Sequence, residues 1–213
     1  MFITFEGIEG SGKSTAIAGV AEELERRGVR VLLTQEPGGC ALGRTLRALL
    51  LDRKSVIAAR AELFLFLADR AQHVAEVVRP ALAEGRAVLC DRYADSTLAY
   101  QGYARGLDPA SLGMLSREAA GGLEPDMTLL LDLPVEEGLE RARRRNERLG
   151  TAVSEGRFDA ESLAFHARVR SGFLAIAGGE PGRVKIVDAS MPAAAVQAQC
   201  LGHLETLLQR LGR

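Results

Sequence analysis

Residues 7–14 read Gly7-Ile8-Glu9-Gly10-Ser11-Gly12-Lys13-Ser14, a glycine-rich stretch closing on a lysine and a hydroxyl. An apolar run, Phe2 to Phe5, precedes it and a helical pattern, Ala16 to Arg27, follows, which is the context in which GxxxxGK[ST] cradles phosphate. Glycines let backbone N–H groups converge on phosphate oxygens, and the N-terminus of the helix favours an anion. In such a cradle Gly7, Ile8, Glu9, Gly10, Ser11, Gly12, Lys13, Ser14 and Thr15 hold a nucleoside triphosphate. Lys13 bridges the β- and γ-phosphates, and the Ser14 hydroxyl binds Mg2+. The chain has three lysines against 24 arginines, so a lysine at this position is conspicuous.

A second anion site is expected at Cys90-Asp91-Arg92-Tyr93, where the apolar run Ala87 to Cys90 delivers charge to the carboxyl edge of a sheet. There Asp91 orients Mg2+ or its water, and Arg92 spans acceptor and donor phosphates as charge moves between them. Ser96, Thr97, Tyr100 and Gln101 follow closely, polar and aromatic groups able to hold a sugar and a base edge. Three classes use such a cradle: small-molecule kinases, GTPase-type switches, and motor or partitioning ATPases. A switch needs a base-reading NKxD, and the one asparagine, Asn146, lies in RNERL. Motors usually have longer chains, so two anion sites in 213 residues favour a kinase.

These residues need a frame. Five short apolar runs, 2–5, 29–34, 87–90, 127–133 and 184–187, alternate with helical stretches at 16–27, 58–78, 135–145 and 193–211. Runs without polar alternation read as strands buried on both faces, so the expected fold is α/β: a five-stranded parallel sheet with helices on both faces. The glycine and proline clusters at 36–39, 121–125 and 178–182 read as turns within one domain spanning 1–213. The charged stretch Arg141 to Arg157 reads as a mobile segment over the site, with Arg143 to Arg145 solvated.

Composition narrows the partners. With 27 basic and 28 acidic side chains there is no global basic field, so nucleic acid is not expected as a partner. The acidic N-terminus reads as no signal peptide, and no apolar run is long enough for a membrane span. Cys40, Cys90 and Cys200, scattered and odd in number, fit a reducing cytoplasm better than disulfides or zinc.

FEGIEGSGKST, EPGG, LFLFLADRAQHV, CDRY with STLAYQG, PDMTLLLDLPVEEGLERARRR and GRFDAESLAFHARVRSGFL together resemble the bacterial thymidylate kinase family, in order and spacing, over nearly the whole chain. The resemblance implies the P-loop fold with a lid at about 145–160, and transfer of the ATP γ-phosphoryl to dTMP with Mg2+, giving dTDP on the way to dTTP. It implies that Glu9 accepts the 3′-hydroxyl of the thymidylate sugar. It further implies that Phe66 stacks on thymine, that Arg70 reaches the carbonyl edge of the base, and that Tyr100 lies against the 2′ position. Ser96, Thr97 and Gln101 match contacts around the base, Arg47 an arginine near the acceptor phosphate, and Arg141 a flat surface beside adenine. Family members with a small residue such as Gly10 in the P-loop supply their catalytic arginine from the lid, which assigns that role to Arg157, with Arg148 as the alternative. Two departures stand out: Gly156-Arg157-Phe158-Asp159 replaces the acidic-Arg-Ile-Glu pattern, and about six extra residues precede it. The resemblance also implies a homodimer, and the apolar helix carrying LFLFLA could serve that interface as well as the core. Kinases for another nucleoside monophosphate or a deoxynucleoside, and a non-enzymatic P-loop switch, are the other readings.

Overall fold

The computed structural model describes residues 1–150 and 156–212. Five strands, β1 (Phe2–Glu6), β2 (Val31–Gln35), β3 (Ala87–Asp91), β4 (Met127–Asp132) and β5 (Val184–Asp188), form one parallel sheet in the order β2-β3-β1-β4-β5. These are the expected runs, displaced by no more than two residues at either end. Every residue of the central strand β1 is buried, whereas the edge strands β2 and β5 are partly exposed.

Burial on both faces explains the unbroken apolar runs. Ile3, Phe5, Leu129 and Leu131 pack with Val20 and Leu24 of α1 (Lys13–Arg26) and Leu204 and Leu208 of α9 (Ala193–Arg210). The opposite face carries Phe2, Val88 and Cys90 against Val74, Val78 and Tyr93. Each fully buried Leu, Ile or Phe contributes on the order of 1.5–3 kcal/mol.

The remaining helices sit around this core. α2 (Ala41–Leu51) follows the EPGG turn, and α3 (Ala59–His73) runs on through a π-helical stretch, Val74–Val78, into α4 (Arg79–Ala83). After β3, α5 (Ala94–Thr97) continues as a second π-helical stretch, Leu98–Ala104, which carries Tyr100 and Gln101; π-helical turns of this kind recur at functional sites. α6 (Pro109–Ala119), α7 (Val135–Leu149) and α8 (Leu163–Gly179) complete the chain.

The arginine-rich stretch departs from the expected mobile segment. α7 follows the expected helical stretch 135–145 and extends four residues beyond it, to Leu149, so Arg141 to Arg148 all lie in a regular helix. Charge spacing is the reason: Glu137 pairs with Arg141, Glu140 with Arg143 and Arg144, and Arg143 with Glu147, all three or four residues apart. The part of the predicted lid at 151–155 lies outside the described residues.

Strand order places the chemistry. From β1 the chain crosses to β2 on one side and returns through β3, then passes over β1 to β4 and β5 on the other side, and ligands of open α/β sheets bind at the carboxyl edge of such a switch point. Phe5 is in register with Asp91, so the loop after β1 and the residues after β3 meet there.

Candidate active site

A cavity of about 330 Å3 opens at this edge. Its walls include Lys13 and Ser14 from the glycine-rich loop, Asp91 and Arg92 from the end of β3, and Phe66, Arg70, Tyr100 and Gln101 from the helices. Residues taken from distant parts of the sequence therefore share one space.

The cradle is built as its glycines require. Gly10 has φ 74°, and a side-chain carbon there would overlap the Gly138 carbonyl of α7; one at Gly138 would in turn meet the Glu9 carbonyl. Loop and helix thus touch backbone to backbone. Position 10 therefore has no room for a side chain. Lys13 is nearly buried, with Nζ 3.3 Å from the Gly7 and Ile8 carbonyls. Burial, reinforced by the nearby Arg92 charge, pulls its ammonium down to about 8, against the opposing pull of Asp91, Glu9 and Glu6.

Arg92 stands across the cavity with φ 70°, the only non-glycine residue in the left-handed region among the described residues. Such a backbone costs about 1–3 kcal/mol and persists where the surroundings over-determine it. Here Glu6 does so. Its carboxylate is fully buried and accepts from the Tyr93 amide at 2.7 Å, the Ser96 amide at 3.3 Å and the Ser96 hydroxyl at 2.6 Å. Ser96 Oγ also accepts from Arg92 Nη1 at 3.1 Å. Burial, with Asp95 nearby, pushes the Glu6 carboxyl up to about 7. Ser96 is therefore tied to the turn that aims Arg92. Arg92 Nη2 reaches Glu9 Oε1 at 3.2 Å, and the guanidinium lies 5.0 Å from the centre of the Tyr100 ring. Burial works against the charge on Arg92, but Tyr100, Glu9, Glu6 and Asp91 together raise its pKa above the ordinary value.

Asp91 Oδ1 is buried without a hydrogen-bond partner among the described residues, an orphaned acceptor at the cradle. Ser14 lines the same cavity. No group of three His, Cys, Asp or Glu side chains suited to a metal converges among the described residues. An oxygen pair of this kind fits Mg2+, which keeps several waters and completes its shell with phosphate oxygens.

The acceptor wall is aromatic and basic. Tyr100 donates its hydroxyl to Glu9 Oε1 at 2.6 Å. Phe66 faces Phe158 across 6.2 Å, and Phe158 packs edge-on to Tyr100 at 5.5 Å. Arg70 is buried, donating to Glu36 at 2.9 Å, to Thr97 and Ser116 at 3.0 and 2.7 Å, and to the Tyr93 carbonyl at 2.9 Å. Thr97 thus holds Arg70, while Gln101 donates to Glu62 at 2.9 Å. Arg47 lines the cavity and donates to the Pro37 carbonyl at 3.0 Å. Arg141 reaches the Ala189 carbonyl at 3.2 Å, on the turn after β5.

The arginine expected over the transferring phosphoryl lies elsewhere. Arg157 is not part of the cavity wall: its guanidinium donates to the Leu50 carbonyl and to Glu62 Oε2, the latter at 2.6 Å. Glu62, buried between Arg157, Arg105 and Gln101, captures it. Arg145 is exposed, as read from the sequence, and its side chain also lines the cavity, as does Asp159. Arg148, the alternative, lies in the exposed last turn of α7.

Sequence reasoning missed Glu6, Glu62, Phe158 as a wall residue, and Arg145. The motif around Phe158 was visible as an aromatic in place of an aliphatic residue. Glu6 and Glu62 gave no local signal, because their partners lie at sequence separations of 87–90 and 39–95 residues.

Comparisons with known proteins place the chain in one family. A family model described as thymidylate kinase matches residues 5–200. The chain is 63% identical to thymidylate kinase of Desulfovibrio desulfuricans, over 100% of this chain and 99% of that protein. It is 64% identical to thymidylate kinase of Nitratidesulfovibrio vulgaris strain Miyazaki F, over 89% of each. The crystal structure of thymidylate kinase from Ehrlichia chaffeensis superposes with a TM-score of 0.75 at 33% identity, covering 96% of this chain and 98% of that one.

Proposed function

Because the chain belongs to the thymidylate kinase family and phosphorylates thymidine 5′-monophosphate, we propose that its phosphoryl donor is ATP held with Mg2+, and its products dTDP and ADP. The observation that carries this reading is the single cavity in which Lys13 and Ser14 face the Phe66, Arg70 and Tyr100 wall. Donor and acceptor pockets that meet at Arg92 suit direct, in-line transfer.

In this reading the P-loop from Gly7 to Thr15 binds the donor phosphates, and Lys13 supplies a positive charge at the β- and γ-oxygens. Ser14 and Asp91 would hold Mg2+, which when bound neutralises phosphate charge. Arg92 and Arg145 flank the transferring phosphoryl, Arg141 lies beside adenine, and Arg157 latches its segment to α3 through Glu62. Phe66 and Arg70 receive thymine, with Thr97 and Gln101 around it. Arg47 lies toward the acceptor phosphate, Glu9 takes the 3′-hydroxyl, and Tyr100 closes the 2′ side. No general base is required, since a phosphate monoester is already anionic near neutral pH.

An acceptor panel with ATP and Mg2+ checks the substrate. Turnover of dTMP is expected to exceed that of UMP, CMP, AMP and thymidine by at least tenfold in kcat/KM; equal turnover of any of these would refute it. The Lys13 ammonium gives a second test. Above about pH 8 the free protein has lost that proton, so ATP binding should take one up. Calorimetry at pH 8.5 in two buffers of different ionisation enthalpy should show proton uptake that disappears in Lys13→Met. Equal heats in both buffers would sink the assignment.

A homodimer and a cytoplasmic setting complete the proposal. Leu42 and Leu49 of α2, Phe64 of α3 and Met114 of α6 leave an exposed apolar surface on adjoining helices, and the three cysteines are buried free thiols. No helix among the described residues is long and apolar enough to cross a membrane.

A further inference from the structure

His166 is fully buried on α8 and has no part in the reaction as described above. Its Nε2 lies 3.0 Å from the Phe158 carbonyl, an atom that can only accept, so Nε2 carries a proton. Its Nδ1 lies 3.2 Å from Glu9 Oε2, and neither atom has a hydrogen-bonding partner elsewhere among the described residues. The ring nitrogen and the carboxylate oxygen are thus each other's nearest polar contact, at ion-pair distance.

We propose that His166 is the positioning residue for Glu9: it holds Oε2 from behind and thereby aims Oε1, already shared with Tyr100 and Arg92, at the 3′-hydroxyl of the acceptor sugar. The proposal rests on the reading of Glu9 as the acceptor of that hydroxyl. His166 also ties Glu9 to the backbone of the turn that carries Phe158, so the aromatic wall and the sugar contact are set by one ring. The charged and titratable groups around Glu9 are Arg92 and Lys13, Tyr100, His166 itself and Asp159. Burial would raise the Glu9 carboxyl, but the His166 hydrogen bond, the Arg92 charge and the Tyr100 hydroxyl outweigh it and hold the group well below the usual carboxylate range.

Two isosteres separate the ring's two bonds. The amide nitrogen of asparagine falls near Nδ1 and that of glutamine near Nε2, so His166→Asn keeps the Glu9 contact and His166→Gln keeps the Phe158 contact. His166→Gln is expected to cut the preference for dTMP over 3′-deoxythymidine 5′-monophosphate, measured as a ratio of kcat/KM, by about tenfold, the value of a charged hydrogen bond. His166→Asn should keep that ratio at least threefold above the glutamine variant. A purely structural role would lower turnover of both acceptors together and leave the ratio unchanged, which would overturn the proposal. Glu9→Gln separates the underlying reading. If it leaves the ratio intact, Glu9 does not take the 3′-hydroxyl; if it collapses the ratio while His166→Gln does not, His166 has no positioning role. Should the variants fold poorly, long-range proton–nitrogen NMR of the wild-type histidine rings decides. A protonated Nδ1 on His166, lost in Glu9→Gln, is expected; an unprotonated Nδ1 in the wild type would overturn the pairing.

Discussion

Replacing Arg92 with alanine is expected to lower kcat with ATP and dTMP by about three orders of magnitude, within the range for removing an arginine from a transferring phosphoryl group. The size follows from what the rest of the molecule does for this side chain. Glu6, Ser96, Glu9 and Tyr100 all contact it or the turn that carries it, and its own backbone is held at φ 70°. A preorganised charge costs little reorganisation as the reaction proceeds, and this is where electrostatic stabilisation is largest. Arg92→Lys should recover only part of the loss, since an ammonium cannot bridge two phosphates with a planar fork.

Folding and chemistry can be told apart at this position. Glycine accepts a positive φ without strain, so Arg92→Gly is expected to be about 1 kcal/mol more stable than Arg92→Ala by thermal denaturation, and equally inactive. A kcat for Arg92→Ala within tenfold of wild type would remove Arg92 from the transfer step.

The frame of this site was legible because its signals are local. Contiguous apolar runs gave the five strands, and the cradle is written in eight adjacent residues. Asp91 and Arg92 could be placed because they end an apolar strand. What stayed hidden depends on partners far away in sequence. Glu6 reads as one more polar residue after an apolar run, yet it meets Tyr93 and Ser96 across the sheet edge. Arg157 sits in a motif whose resemblance to the family's lid implied a place at the phosphates, but the buried Glu62, 95 residues earlier, binds it instead. The helix could be read only to Arg145, because hydrophobic periodicity is absent from there to Arg148. The order lies in the charges, with Glu140 between Arg143 and Arg144 as the clearest instance.

Arg145→Ala is expected to lower kcat about a hundredfold, and Arg157→Ala less than tenfold. Gly10 and Gly138 leave no room for a side chain at position 10 of the cradle. Of the three lid-side arginines at issue, Arg145 and Arg148 are both exposed on α7, but Arg145 alone lines the cavity that holds Lys13 and Arg92, and Arg157 is bound to Glu62 and the Leu50 carbonyl. Arg157 is nevertheless not idle. Its release would leave Glu62 to Arg105 and Gln101 and loosen the turn bearing Phe158, whose ring packs against Phe66 and Tyr100. Its loss should therefore appear chiefly as a several-fold rise in KM for dTMP, and Glu62→Gln should reproduce that rise. The double variant Arg157→Ala/Glu62→Gln should then be no worse than either single change, because both remove the same ion pair. Steady-state kinetics of these variants together with Arg148→Ala decides the matter. A hundredfold loss of kcat in Arg157→Ala or Arg148→Ala, with Arg145→Ala within a few-fold of wild type, would return the catalytic role to the lid motif or its alternative and leave Arg145 outside the transfer step.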